Sequence, residues 1–183
     1  MTDVVGLVLA AGAGDRFGGP KSLARTPDGE PWVARAVRVL LAGGCDAAVV
    51  VLGAGADEAE PLVPPEATVV RAAHWRSGMG ASLAEGIAAL PEADAALISL
   101  VDLPGMPPAV VERVLERGVQ REALVRAAYD DRPGHPVLLG RDHWDGFREA
   151  LHGDEGGRRY LELHDVAWVE CSDLYDGEDV DRR

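Results

Sequence analysis

Val4-Val5-Gly6-Leu7-Val8-Leu9 runs straight into Ala10-Ala11-Gly12-Ala13-Gly14-Asp15-Arg16-Phe17-Gly18-Gly19-Pro20-Lys21, and the join between these segments decides the fold. The first segment is apolar throughout, as expected of a strand covered on both faces. The second holds four glycines, which let the backbone turn tightly and bring its N–H groups close to a ligand. Arg16 and Lys21 are its only cations. Small residues and two cations at the end of a first strand describe a place for the phosphates of a nucleotide. The same apolar signature recurs at residues 47–52, 67–70, 95–101 and 166–169, with helical patterns at 33–41, 82–90, 108–117 and 143–151 between them. Strands alternating with helices predict a single-domain, three-layer, Rossmann-like α/β fold with a mostly parallel sheet. In such sheets the ligand lies beyond the carboxyl ends of the strands, where the strand order reverses. The loops after the first strand and after residues 95–101 are expected to flank that crevice.

Two common phosphate loops do not fit. Gly14 to Gly19 has the spacing of G-x-x-x-x-G-K-[ST], but Pro20 intrudes before Lys21-Ser22 and offers no N–H. The dinucleotide pattern G-x-G-x-x-G begins at Gly12 and Gly14, then meets Phe17. Both motifs also run directly into a helix, whereas none is expected here before about Pro31.

Composition narrows the classes further. A chain of 183 residues suits one domain that buries about 70% of its unfolded surface. A formal net charge of −13 argues against nucleic acid and against an anionic membrane surface as partners. A nucleotide must therefore find a local positive site. Cys45 and Cys171 have no metal-binding spacing and predict reduced, structural thiols. The apolar start is too short to span a membrane and has no basic leader, so the expected location is cytoplasmic.

A strand, a small-residue loop with Arg, then Gly and Lys resembles the signature of nucleotidyltransferases, and within them the molybdenum cofactor cytidylyltransferase group. Four further segments carry the likeness: Trp75-Arg76-Ser77-Gly78-Met79-Gly80-Ala81-Ser82-Leu83, Val101-Asp102-Leu103-Pro104, Pro133-Gly134-His135-Pro136-Val137, and Gly153-Asp154-Glu155-Gly156-Gly157-Arg158. The resemblance implies Mg2+-dependent transfer of CMP from CTP to a phosphate-bearing, molybdopterin-type acceptor, with release of pyrophosphate and delivery of the product to a molybdoenzyme. It implies a nucleotide-binding half over residues 1–100 and a metal and acceptor half over 101–183. GTP or a sugar phosphate as substrate remains open, as does a non-catalytic carrier of nucleotide or cofactor.

The resemblance also assigns roles. Arg16 and Lys21 would neutralise phosphate charge during transfer, against the plainer reading of solvated loop charges. Leu9, Ala10, Ala11, Gly12, Ala13 and Gly14 would form the nucleotide cradle, with Gly78 and Ser82 reading the base. Ser82 is alternatively an ordinary helix N-cap. Asp102 ends a buried strand and is either a helix cap or a Mg2+ ligand. Five residues separate it from the helix expected from Pro108, a long reach for a cap. The family's C-terminal Asp-x-Asp-Thr-Pro motif is matched to Asp173-Leu174-Tyr175-Asp176-Gly177-Glu178-Asp179, which keeps Asp173 as a metal ligand but puts Tyr175 at the second acid, with Asp176 as the alternative ligand. His135, Asp154 and Arg158 are assigned to the acceptor. His135 would otherwise hydrogen-bond within a Pro-Gly turn, and the segment around Asp154 and Arg158 would simply link two helices.

Overall fold

The computed structural model describes residues 3–153 and 156–181. One seven-stranded sheet organises them. In chain order its strands are β1 (Val4–Ala10), β2 (Ala47–Leu52), β3 (Ala67–Arg71), β4 (Ala95–Leu100), β5 (Leu124–Tyr129), β6 (Arg132–Gly140) and β7 (Ala167–Glu170). The helices are α1 (Trp32–Ala42), α2 (Ala56–Ala59), α3 (Met79–Ala88), α4 (Pro108–Glu116), α5 (Trp144–Glu149) and α6 (Arg158–Leu163). The spatial order of the strands is β3-β2-β1-β4-β6-β5-β7. All pairings are parallel except those that β6 makes with β4 and with β5. The chain winds outward from β1 through β2 to β3, then returns to place β4 on the other side of β1. The order therefore reverses between β1 and β4, and the loops after these two strands face each other.

Each face of the sheet carries a core, which explains why β1 is buried at every position. On one face, Val8, Val50 and Leu97 pack with Val33, Val37 and Leu40 of α1 and Val110, Val111 and Val114 of α4. On the other, Leu7, Val49 and Ile98 pack with Leu83 and Ile87 of α3, Phe147 of α5 and Leu161 of α6. A strand covered on both sides has no polar face to alternate with, hence the unbroken apolar runs. Gly86 lets α3 approach closely, since a Cβ there would stand 2.5 Å from Val51. Cys45 and Cys171 are both free and buried.

Four departures from the expected elements matter for the site. Residues 124–129 and 132–140 form an antiparallel hairpin where no strands were expected. Arg126 interrupts the apolar run of β5, and the turn uses Asp130 and Asp131 at φ 50° and 59° in place of a glycine. Pro133-Gly134, expected as a turn, lies inside β6. α3 begins at Met79, so Ser82 stands in its first turns and does not cap it. α6 is a short helix that begins at Arg158, where no helix was expected.

Leu97 is fully buried in β4, opposite Gly6 of β1 and Leu138 of β6. Leu97→Ala is expected to cost about 2–5 kcal/mol through lost transfer energy and a residual cavity. Urea unfolding measures it directly; a loss below about 1 kcal/mol would show that the centre of the sheet is not the packing core described.

Candidate active site

The loop after β1 is a closed turn. The N–H groups of Phe17, Gly18 and Gly19 all donate to the Gly14 carbonyl, at 2.9, 2.9 and 3.1 Å. Gly14 has φ 66°, and a Cβ there would collide with the Gly19 carbonyl, so this position requires glycine. Phe17 turns inward onto Trp32 with ring centroids 5.3 Å apart. This anchors the loop and carries Lys21 back over the end of the sheet.

That geometry brings Lys21 to Asp102. The Lys21 Nζ donates to Asp102 Oδ2 at 2.8 Å and to Asp181 Oδ1 at 2.9 Å. Lys21 and Asp102 are 14% and 16% exposed, so the pair is shielded and resists screening. Burial pulls the Lys21 pKa down, but the two carboxylates outweigh it and hold the ammonium above its ordinary value. Arg16 is different: its side chain is 79% exposed and it reaches Asp181 at 3.4 Å. It is an exposed cation at the mouth of the cleft.

A cleft of about 910 Å3 opens above these groups. Leu9, Ala10, Ala11, Gly12, Ala13 and Gly14 line it together with Arg16, Lys21, Gly78, Ser82 and Asp102. Ser82 is 2% exposed. Gly78 has φ 110°, which allows the chain to turn into α3. Trp75 and Arg76 also line the cleft, with the guanidinium 4.3 Å from the indole centroid.

The acids beside Asp102 are not the expected ones. Asp173 lies away from the cleft in a two-bond pair with Arg113, at 2.5 and 2.9 Å, and that guanidinium holds its carboxyl below the usual range. Asp179 and Asp181 take the place next to Asp102, and one ligand oxygen from each of the three lies within 4.8 Å of the others. The N–H of Val180, between them, donates to the Asp102 carbonyl at 3.0 Å and fixes this segment against the loop after β4. The signal was readable: Asp179-Val180-Asp181 is itself Asp-x-Asp and begins at the last residue of the stretch matched from sequence. Tyr175 therefore replaces no acid of the cleft; its hydroxyl bonds the Glu178 carbonyl and its ring meets Tyr129.

A divalent cation suits this triad. Asp102 Oδ1 is buried and has no hydrogen-bond partner, an acceptor pointing at an unfilled role. Hard cations take one or two protein carboxylates together with phosphate oxygens and waters.

The acceptor-side residues stand apart from the cleft lining. His135 is half-buried on β6, and Tyr129 donates to its carbonyl at 2.7 Å. Burial, then the charge of Arg126, pushes its imidazole down to about 4. Arg158 opens α6 and bonds Glu162 at 2.8 Å. Asp154 lies outside the described residues.

Two measurements follow. Asp102→Asn is expected to weaken Mn2+ binding by at least about tenfold while Asp173→Asn leaves it unchanged, read by calorimetry. The reverse pattern would return Asp173 to the metal site. His135 binds a proton less readily folded than unfolded, so stability falls as pH drops from 6.5 toward about 4, where the unfolded chain protonates first. Ring NMR should give a midpoint near 4; a midpoint at 6.5 would remove the burial described.

The model for the MobA-like NTP transferase domain matches residues 6–168. Nicotine blue oxidoreductase of Paenarthrobacter nicotinovorans is 36% identical over 97% of this chain and 92% of its own length. The crystal structure of Rv0371c from Mycobacterium tuberculosis H37Rv superposes with TM-score 0.80 at 30% identity, covering 99% of this chain and 94% of that one. A manganese complex of Rv0371c superposes at 0.71 with 27% identity, over 92% and 88% of the two chains. Sequence and fold together place this protein in the MobA-like NTP transferase family.

Proposed function

We propose that the protein transfers CMP from CTP to a phosphate-bearing acceptor of the molybdenum cofactor type, with Mg2+ and with release of pyrophosphate. The observation that carries this reading is the meeting of Lys21 with Asp102 and the Asp-x-Asp segment in the cleft that Gly12 and Ser82 also line. An acceptor phosphate oxygen attacks the α-phosphorus in line, a new P–O bond forms, and the bond to the bridging oxygen breaks. The electron pair and the charge leave with pyrophosphate. No covalent enzyme intermediate is needed, so positioning and charge neutralisation supply the rate.

Lys21 and Arg16 neutralise the charge that builds on the departing phosphates. A cation 4 Å from a phosphate oxygen gains on the order of 4 kcal/mol of gross Coulomb energy at a surface-like dielectric. Arg16 offers a planar fork on an exposed stem and Lys21 a point charge from a fixed one. Asp102, Asp179 and Asp181 would hold Mg2+, which when bound screens the phosphates and polarises them toward attack. Gly78 and Ser82 contact the base, opposite the Ala11-Gly12 backbone.

The carrier reading loses its motive, because the cleft has its second acid without Tyr175. A second reading has a specific support: a relative 36% identical over nearly the whole chain is named an oxidoreductase. The same cradle would then hold the phosphates of a nicotinamide nucleotide.

Pyrophosphate release with each of the four NTPs, Mg2+ and molybdenum cofactor separates these readings. CTP is expected to be preferred, and Lys21→Met to lower kcat/KM by on the order of 10²–10³, as for loss of one group that stabilises transition-state charge. Equal use of all four nucleotides would defeat the cytidine assignment. NADH or NADPH oxidation by nicotine blue without any pyrophosphate would overturn transfer in favour of reduction.

A further inference from the structure

Asp181 does more than complete the acidic triad. Its Oδ1 accepts from the Lys21 Nζ at 2.9 Å, and its Oδ2 faces the Arg16 guanidinium at 3.4 Å. One carboxylate thus spreads its two oxygens over both cations of the glycine loop, the pair that the transfer reading gives to the phosphates. Phosphate oxygens would meet the same donors, because both groups are compact oxyanions that accept charge-assisted hydrogen bonds.

The segment that carries Asp181 lets this carboxylate turn about a fixed point. Residues 175–181 lie in no helix or strand. Val180 pins them: its side chain packs against the core under α1 and α4, and its N–H donates to the Asp102 carbonyl at 3.0 Å. Asp179 and Asp181 flank that pin, and both line the cleft beside Asp102. The Asp181 side chain is 42% exposed against 14% for Lys21, so it can swing while the packed part of the segment stays in place.

Two demands meet on Asp181. A divalent cation held by the triad would take one of its oxygens, and would repel the ammonium and guanidinium that now face them. A triphosphate in the cleft would need those same two cations. Both demands are met at once if Asp181 turns to the metal while Lys21 and Arg16 turn to the phosphates. With metal withheld, Asp181 competes with the phosphates for both cations. We infer that Asp181 is a latch, an internal occupant of the phosphate position that a divalent cation draws off. Metal and triphosphate then favour each other's binding through this one residue, and by linkage the effect is reciprocal. The latch rests on the cleft being a metal and triphosphate site, as proposed above; it depends neither on the base or acceptor used nor on transfer itself.

Inorganic triphosphate is the probe, titrated into the intact chain by calorimetry, once in EDTA and once in saturating Mg2+. Asp181→Asn keeps the shape of the side chain and removes its charge. In EDTA this variant is expected to bind triphosphate about five- to tenfold more tightly than the wild type, as for release of one partly exposed, charge-assisted competitor. In Mg2+ the sign is expected to reverse, with binding several-fold weaker, because a metal ligand is lost. Asp15 also lines the cleft, and Asp15→Asn is expected to change binding by less than about twofold in either condition. Asp181→Ala carries the test if the Asn variant does not fold. Unchanged or weaker binding by the Asp181 variant in EDTA, tighter binding in both conditions, or an equal gain in Asp15→Asn would overturn the latch. Failure of every variant to bind triphosphate in either condition would remove the metal and triphosphate site along with it. Reversal of sign without pyrophosphate release from any NTP would keep the latch and remove the transfer reading alone.

Discussion

The contact between Lys21 and Asp102 joins residues 81 positions apart and sets the geometry of everything around it. It ties the loop after β1 to the loop after β4 across the reversal in strand order, and Asp181 closes it from a third direction. A shielded ammonium between two carboxylates is a demanding arrangement, because each charge has given up much of its water and depends on the others. On the transfer reading proposed above, a triphosphate entering the cleft would offer Lys21 new anionic oxygens in exchange for the old ones. One set of negative partners would replace another, and the ammonium would not be stranded.

The sheet exists to hold those loops at fixed separation. β1 and β4 are hydrogen-bonded neighbours buried on both faces, and the register from Val4–Ala95 to Leu9–Leu100 leaves little freedom at their ends. The closed turn at Gly14 and the inward ring of Phe17 then determine where the cations sit. Rigidity below and a short, glycine-dependent loop above are what a positioning site needs.

Much of this was legible from residues alone. Continuous apolar runs identify β1, β2 and β4 because two-sided burial leaves no other solution for a parallel strand, and the same logic locates the crevice. Arg16, Lys21 and Asp102 stand out because each is a charge at the edge of an apolar segment. The hairpin of β5 and β6 was hidden by Arg126 in its interior, by Pro133 and Gly134, and by a turn of two aspartates where glycine is the usual signal. The acids beside Asp102 were misread for another reason. Two Asp-rich runs lie close together near Cys171 and Val180, and only the fold shows that Arg113 claims Asp173.

The reversed direction of β6 has a consequence for how such a protein diversifies. The strands that carry the closed turn at Gly14 and the loop to Asp102 are parallel, and two cores lock their order. His135 and Arg126 instead ride on a hairpin whose tip, Asp130-Asp131, is exposed to solvent. Substitutions or insertions along this ribbon leave the register of β1 against β2 and β4 untouched. On the transfer reading, with His135 on the acceptor side, a lineage could exchange one acceptor for another by remodelling a single ribbon while the donor end keeps its shape.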